Sequence, residues 1–482
     1  MQMIAIDLGA DSGRVVLGTL SGERLTMEVV HRFANTPQQV NGHLRWDLPA
    51  LWLGIRTGIR LAKQQANGPV SSIGIDTWGV DFGLVDQAGE LIDQPIHYRD
   101  ERNIGMPELV HVVVPCEELF ARTGTRSLVI NTIFQLVALQ RSHPELLRRA
   151  TRLLTIPDVF NCWMSGTQAN EWSNAGTTGL TCAGKPEWDR RLIAQLGLPD
   201  HVFGPIVRSG ADLGPLRDSL ATELGFSERP RVIAPGCHDT ASAVAAMPSS
   251  APGTAFISCG TWSLMGVLAD HPATDAAALE ADLSNEIAVD GRIRLLKNIM
   301  GLWVWQECRR DLIAEGTELS HAQLADLATA ASAQTPTVHI DDESLLTPSR
   351  AGDRMIDRVR RLAAVHSLPA ATPGELFRRI TEALAAAYAS ARIGLERATG
   401  QRISAISLMG GGCRNRLLCQ LTADACGVTV LAGPDEGTAL GNLLVQARTL
   451  GQVDDAGMAR VSAASSEIST FSPVAGLQHR AR

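Results

Sequence analysis

The apolar positions of this chain come in short runs that stop at glycine, and those runs set the reading of the fold. IAIDLG near the N-terminus is an apolar strand ending in Asp7 and Gly9, ADSG is a tight turn of small residues, and RVVLGTL predicts a second strand. Gly42 to Trp46 predicts another strand, and PALWLGIRTGIRLAKQQ reads as a helix with Pro49 in its first turn, where a missing N–H is tolerated. Ile73 to Ile75 and Phe82 to Val85 are two more strands joined across DTWGVD, after which Pro107 to Leu154 is mainly helical. NEWSNAGTTGL, at 170–180, is polar and glycine-rich, a composition that suits a pocket wall. RVIAPGCHDTASAVA, at 231–245, predicts a buried strand over Val232 to Ala234, a break at Pro235-Gly236 and a small-residue helix, with Asp239 close to the helix N-terminus.

The clearest composition break is PSSAPG, at 248–253. Beyond it, TAFISCGTWSLMGVL repeats the arrangement of IAIDLGADSGRVVLG: apolar strand, glycine, small polar turn, second apolar strand. One such unit in each half predicts two related domains, 1–245 and 246–482, with a ligand cleft between them. Later, Ile403 to Met409 is a strand running into Gly410-Gly411-Gly412, Asn415 to Ala425 a helix, Val428 to Leu431 a strand, and Ala439 to Leu450 a helix. Strands alternating with helices make the chain α/β. Ala276 to Glu286 and Leu324 to Pro336 read as surface elaboration.

At 482 residues the chain exceeds the size of one growing core, which agrees with two domains. Its 51 acidic against 43 basic residues leave a formal charge of −8 with no Lys/Arg block, which argues against nucleic acid or an anionic membrane as a principal partner. The chain opens directly with MQMIAIDLG, its apolar stretches are broken by Gly, Pro or charge, and its nine cysteines include no CxxC pair. These features predict no secretory or membrane-spanning segment and a reducing cytoplasm. Cys413, Cys419 and Cys426 are spaced unlike a zinc site and read as buried thiols.

Strand-ending glycine turns offer backbone N–H groups to phosphate, and three occur: around Gly9 and Gly13, around Gly260, and around Gly411. Neither GxxxxGK[ST] nor a helix-opening GxGxxG is present, so the usual nucleotide fingerprints are excluded. Phosphoryl transfer without them still requires a divalent ion, donors to the phosphates and a base beside the acceptor hydroxyl. Asp7 is the candidate metal residue, through direct or water-mediated contact, or else a turn former. Asp239 is the candidate base, or else a helix N-cap. Asp76, Trp78 and Asp81 near a strand end suit a polyol with an apolar edge, or else a hairpin with Trp78 as a core plug. Arg14 neutralises phosphate or anchors the first turn.

Taken in order, IDLGADSGR, GIDTWGVDF, YRDERN, NEWSNAGTTGL, GCHDTASA, SCGTWSLMG, LKNIMGLWVWQ and GGGCRN resemble the motifs of the FGGY carbohydrate kinases, from Ile4 to about Gln446. Ala10, together with GVDF and HDTASA, resembles the branch that phosphorylates L-rhamnulose. The resemblance implies two actin-like, ribonuclease H-like domains, ATP with Mg2+, and γ-phosphoryl transfer to the sugar 1-hydroxyl. It implies that Ala10, Asp11, Ser12, Gly13 and Arg14 form an ATP loop and that Gly79 contacts sugar. It further implies that His238, Asp239 and Thr240 are a sugar-contacting triplet with Asp239 the proton acceptor. Thr261, Gln306 and Gly411 correspond to ATP contacts and Asn298 to a sugar contact; Asn298 and Gln306 come from the likeness alone.

Helix N–H groups are expected to keep Asp239 unprotonated and only modestly basic. The disulfides of relatives do not carry over, because Thr422 stands at one of the relevant positions and leaves Cys426 without that partner. The expected partners are a small-molecule ketose and ATP, with no nucleic acid or membrane, in a monomer or weak dimer. The open alternatives are a kinase for another ketose such as L-fuculose or xylulose, an actin-like ATPase without a sugar substrate, and a non-catalytic sugar sensor.

Overall fold

The computed structural model describes residues 1–249, 251–334, 338–350 and 352–474. Every side chain of β1 (Gln2–Leu8) is buried, as a central strand covered on both faces requires. It pairs antiparallel with β2 (Ser12–Ser21), which pairs with β3 (Arg24–Ala34). On its other side β1 runs parallel to β4 (Val70–Thr77), and β5 (Ala211–Pro215) and β6 (Arg231–Ala234) complete the order β5-β6-β4-β1-β2-β3. The β1 register sets Asp7 opposite Arg14 on β2 and opposite Asp76 on β4.

Among the helices that cover this sheet, two are closely fitted. Helix α1 (Leu48–Gln65) starts at Asp47, whose side chain accepts the Ala50 N–H at 3.0 Å, and buries Leu51, Ile55, Ile59 and Ala62. A Cβ on its Gly58 would lie 2.3 Å from Val15, so that crossing depends on glycine. The apolar residues Met3, Ala5 and Val16 pack with Leu440, Leu443 and Leu444 of the helix Gly437–Thr449. Gln446 of that helix accepts from Ser72 Oγ at 2.6 Å and donates to the Ile4 carbonyl at 3.0 Å. The helix also lies against α2 (Asp239–Ala245), where a Cβ on Gly441 would meet the Ser242 carbonyl oxygen at 1.7 Å.

In the second half β7 (Thr254–Cys259) and β8 (Trp262–Ala269) form an antiparallel hairpin. β7 is parallel to β10 (Ala405–Met409), β10 to β11 (Thr429–Ala432), and β12 (Ser469–Phe471) closes the edge antiparallel. The strand β9 (Ile293–Met300) neighbours β8. Hairpin, two parallel strands and an antiparallel edge thus recur, which is the repetition seen in the sequence. Behind this sheet runs the helix Pro373–Thr399, opened by a Thr372/Glu375 capping box and burying Tyr388 against Ser263 at 2.7 Å between hydroxyls.

The compact units are not contiguous in sequence: one holds Met1–Pro248, Leu268–Leu295 and Gly437–Ser465, the other Ser249–Val267, Leu296–Glu436 and residues following Ser465. Two segments of the expected second half therefore pack in the first unit. Ala276 to Glu286, expected to be surface elaboration, contains a short helix and ends in the wholly buried strand Ser284–Ile287. The Leu324 to Pro336 stretch contributes the buried Leu324 and Ala328 from the helix His321–Ala330, while residues 335–336, and Ser250 of the linker, lie outside the described residues. All nine cysteines are free thiols, including Cys426. Among the described residues no helix is long and apolar enough to cross a membrane.

Candidate active site

Three carboxylates of the first unit converge where β1, β4 and the β6–α2 turn end. Arg14 Nε and Nη2 both donate to Asp7 Oδ2, at 2.9 and 2.5 Å. Asp76 is fully buried; its Oδ2 accepts from Asn442 Nδ2 at 2.6 Å and its Oδ1 has no hydrogen-bond partner. Burial first, and then the charge of Asp7, push the Asp76 carboxyl well above the usual range, with Asp239 adding to the effect.

Asp239 is the first residue of α2, and the cap position itself is His238, which makes no side-chain cap bond. Asp239 Oδ1 accepts from the N–H of its neighbour Thr240 at 2.5 Å and from Thr240 Oγ1 at 3.1 Å. An N-cap would reach an N–H two or three residues ahead, so the carboxylate is not spent in that way. Its side chain is 35% exposed. Its pKa is raised, contrary to the modest basicity expected from helix N–H groups: burial dominates, the neighbouring His238 opposes it, and Asp7 adds to the rise.

NEWSNAGTTGL is the wall behind this turn. Glu171, fully buried, accepts the Cys237 N–H at 3.1 Å, the Ser173 and Asn174 N–H groups, and the hydroxyls of Ser173 and Ser209, both at 2.5 Å. Ser173 Oγ in turn receives the His238 N–H at 3.1 Å, and the Thr77 N–H donates to the Cys237 carbonyl at 2.9 Å. Asn174 Nδ2 ties the Cys237 and Trp78 carbonyls together at 3.3 and 3.2 Å.

Beside it, the Asp81 N–H donates to the Gly79 carbonyl at 2.9 Å across Val80, whose φ of 67° is strained for a β-branched residue. Thr177 Oγ1 accepts the Val80 N–H at 2.9 Å, and the hydroxyl of Thr132 holds the Val80 carbonyl. A Cβ on Gly79 would meet Thr177 Oγ1 at 2.9 Å. Strain kept in place by surrounding bonds is a mark of a site that needs its shape.

Trp78 and Asp81 face inward. Asp81 is 1% exposed, accepts both indole N–H groups of Trp46 and Trp78 at 2.6 and 3.0 Å, and accepts from Gln135 at 3.1 Å. Burial nevertheless carries its pKa to about 6. Trp46 packs on Trp78 and His97, each at 4.2 Å between centroids. Asp81 thus sets the indole pair from behind.

The first phosphate-loop candidate is the turn between β1 and β2. Gly9 N–H donates to the Ser12 carbonyl at 2.8 Å, and Asn35 pins the turn through its Nδ2 on the Gly9 carbonyl at 2.9 Å. Ala10 and Asp11 lie in the turn, Ser12 to Arg14 on the strand, and Gly13 is needed because a Cβ would strike the Phe33 ring at 2.5 Å.

The second unit repeats this turn at Gly260, whose N–H donates to the Trp262 carbonyl at 2.8 Å. Thr261 lies within it, and the Trp303 N–H donates to the Thr261 carbonyl at 3.1 Å. The helix Trp303–Ala314 begins there and carries Gln306, whose buried Oε1 has no hydrogen-bond partner. In the triple glycine, Gly410 has φ 80°, a Cβ on Gly412 would collide with Cys259, and Gly411 has open space where a Cβ would stand. Gly411 is therefore the one of the three whose glycine identity the protein itself does not require. Asn298 sits half-buried on β9 of the same unit.

The structure brings Asp7, Arg14, Gly79, His238, Asp239 and Thr240 into the first unit and places Thr261, Asn298, Gln306 and Gly411 in the second. Asn35, Glu171, Asn442, Glu286 and Arg294 were not singled out from the sequence. Asn442 carried a signal, an amide on the apolar face of a helix, and Glu171 lay in the polar segment read as a pocket wall. Among the described residues no group of three His, Cys, Asp or Glu side chains is arranged to hold a metal ion.

Residues 2–246 match the N-terminal domain, and residues 255–450 the C-terminal domain, of the FGGY family of carbohydrate kinases. A rhamnulokinase of Halalkalibacterium halodurans is 38% identical over 458 residues, covering 95% of both chains. One from Bacteroides thetaiotaomicron is 36% identical over 471 residues, covering 97% of this chain and 95% of its own. Among solved structures, a ligand-bound xylulose kinase from Lactobacillus acidophilus superposes with a TM-score of 0.81 at 16% identity, covering 99% of this chain and 94% of that one. Plasmodium falciparum glycerol kinase with ADP gives 0.77 at 14%, covering 98% and 94%. At such identities the structural likeness speaks for the two-domain α/β, actin-like fold. The matches to both halves, in order and over nearly the whole chain, show that it belongs to the FGGY family of carbohydrate kinases.

Proposed function

We propose that this carbohydrate kinase transfers the γ-phosphoryl group of ATP to the 1-hydroxyl of L-rhamnulose, giving L-rhamnulose 1-phosphate and ADP, in a reducing cytoplasm. Asp239 carries the reading: a recessed, partly open carboxylate of raised pKa, which accepts from its neighbour Thr240 and has His238 Nε2 3.4 Å away. The choice of ketose is supported by rhamnulokinases at 36–38% identity over 95% or more of this chain.

As the hydroxyl oxygen bonds to the γ-phosphorus, its proton passes to Asp239 and the bond to the β–γ bridging oxygen breaks, releasing ADP. A raised pKa makes Asp239 a better acceptor than an ordinary carboxylate, and positioning supplies the rest in a loose phosphoryl transition state. Gly79, His238, Thr240 and Asn298 contact the sugar, while Trp78 and Asp81 shape the wall behind it. Ala10 to Arg14, Thr261, Gln306 and Gly411 contact ATP; the unpartnered Gln306 Oε1 and the open Gly411 suit that role. Bound with the nucleotide, magnesium would neutralise phosphate charge. Such an ion takes few protein carboxylates and keeps water and phosphate oxygens, so it needs no three-residue cage. Asp7, with the unpartnered Asp76 Oδ1 beside it in register, fits that demand.

ADP release measured with ATP and magnesium should rise with L-rhamnulose above the rates with L-fuculose or xylulose, and Asp239→Asn should lower it by about 10² or more while melting near the parent. Equal turnover without sugar would refute the kinase reading; parental turnover of the variant would refute the role of Asp239.

A further inference from the structure

The turn Gly79-Val80-Asp81 puts a β-branched residue where a chain ordinarily uses glycine. Among the described residues the non-glycine positions with positive φ are Asn41, Val80, Asp282 and Ser367. Asparagine and aspartate enter that region with the help of a short polar side chain, whereas a branched Cβ crowds the backbone there. Glycine stands on either side, at 79, where a Cβ would meet Thr177 Oγ1 at 2.9 Å, and at 83, where it would lie 2.8 Å from Leu91. It does not stand at 80, where φ is 67°. Three side chains hold Val80 in this conformation: Thr177 Oγ1 accepts its N–H at 2.9 Å, and Thr132 Oγ1 and Gln135 Nε2 donate to its carbonyl, the latter at 3.2 Å. Backbone strain fixed in this way points to a use for the side chain that causes it.

That side chain is the one the turn has to offer. Trp78, Asp81 and Phe82 are 6%, 1% and 6% exposed and Gly79 has none, while Val80 rests partly on the core cluster that includes Trp78 and stays half-buried. The polar groups that touch Val80 are engaged elsewhere as well. The Thr177 hydroxyl donates to the Asn174 carbonyl at 2.8 Å. Gln135 is wholly buried, its unpartnered Oε1 included, and its Nε2 also donates to the Ile130 carbonyl and to Asp81. The open part of Val80 is therefore apolar surface.

The turn stands beside the proposed base. Thr77 is bridged to His238 as a parallel neighbour, which sets the two backbones about 5 Å apart. Asn174 Nδ2 ties the next carbonyl on one chain, that of Trp78, to that of Cys237 on the other. From the bridge both chains run on in the same direction, to Val80 three residues later and to Asp239 one residue later, beyond the carboxyl ends of the parallel strands β4 and β6. Ligands of open α/β sheets bind at such strand ends.

We propose that Val80 is a specificity-determining residue: its isopropyl group receives the methyl terminus of a 6-deoxyketose and disfavours a ketose with a hydroxyl at that carbon. This rests on the reading of the chain as a kinase for L-rhamnulose, which is 6-deoxy-L-fructose. A methyl group against Val80 buries apolar surface, whereas a hydroxyl there gives up hydration with no bond in return.

L-Fructose is the matched competitor, since it differs from L-rhamnulose by that hydroxyl alone. An apolar contact rejects an added hydroxyl by at most about 10²-fold, so with a half-open side chain the parental kcat/KM should favour L-rhamnulose by about 10-fold or more. Val80→Gly, which suits the backbone and removes the contact, should lower this ratio by about 10-fold. Both ketoses meet the same folded enzyme, so a loss of packing alone leaves the ratio where it was. A parental ratio in Val80→Gly would overturn the proposal, as would a parent that phosphorylates both sugars equally well. Val80→Thr, which keeps the shape and adds a hydroxyl, takes the place of the glycine variant if that one does not fold. Should neither fold, NMR of the parent with L-rhamnulose and a non-hydrolysable nucleotide decides: an NOE between the sugar methyl and a valine methyl is expected, and its absence overturns the role of Val80. If the parent turns over no faster with L-rhamnulose than without sugar, the proposed function fails and takes Val80 with it; if it does turn over faster and the ratio survives in the variant, only the role of Val80 fails.

Discussion

Gly441 is where two opposite forces on an alanine substitution can be weighed. The residue lies in the middle of the helix Gly437–Thr449, where alanine for glycine ordinarily stabilises by about 1 kcal/mol. Here the new Cβ would stand 1.7 Å from the Ser242 carbonyl oxygen and 2.6 Å from its carbon, whereas ordinary contact begins at 3.4 Å. Both obstacles are backbone, so no rotamer change relieves them, and the helices must part by more than 1 Å. Overpacking of this kind costs about 1–3 kcal/mol and occasionally more. Set against the propensity gain, a net loss of up to about 2 kcal/mol is expected, or up to roughly 4–8 °C of melting temperature at about 2–4 °C per kcal/mol.

The pushed segment is α2, which begins at Asp239, three residues before Ser242. Misplacement of a reacting group by about 1 Å can cost on the order of 10² in rate, so with Asp239 as the proposed base turnover should fall by more than the melting shift alone explains. Calorimetry and steady-state ADP release on Gly441→Ala test both. A variant that melts higher than the parent and turns over at the parental rate would show that propensity wins, and would refute the close crossing as what positions Asp239.

Two further outcomes follow from buried acids and thiols. Because the fold raises the Asp81 carboxyl from 3.8 to about 6, the stability it contributes is complete below the lower value and lost as pH rises through the upper one. In urea titrations the unfolding free energy of the parent relative to Asp81→Asn should thus decline by about 2 kcal/mol from pH 4 to 7; a pH-independent difference would contradict it. Burial pushes Cys413, Cys419 and Cys426 up to about 12, and since the thiolate is the reactive form, a disulfide-exchange reagent at pH 8 should modify them within minutes only after urea is added. Fast reaction of Cys413 in the native protein would show that its surroundings are misread.

The sequence disclosed whatever depends on local pattern. The β1–β2 and β7–β8 hairpins, the strand Phe82–Val85 and the helix that holds Gly441 follow from runs of apolar residues ended by glycine. Asp7 and Asp239 were visible because they stand at strand and helix ends. What escaped depends on distant contacts. Glu286 sits in an acidic, alanine-rich stretch that has the composition of a surface segment, and only the packing of Ser284–Ile287 beside His238 gives it a partner. The inward turn of Asp81 was equally hidden, since it needs Trp46 from 35 positions earlier to claim the carboxylate. The raised pKa of Asp239 reversed an expectation built on the helix end alone, because burial and Asp7 act from outside that helix.

The return of Gly437–Ser465 to the first unit bears on how the protein is made. Ile4 leaves the ribosome early, yet its carbonyl waits for the Gln446 side chain, and Met3, Ala5 and Val16 wait for Leu440 and Leu443. At about 5–20 residues per second of synthesis, that gap lasts tens of seconds. During it, one face of the central sheet is greasy and uncovered, so the nascent chain is a natural client for holdase chaperones. A ribosome stalled before codon 437 would release a first unit unable to seal its own core.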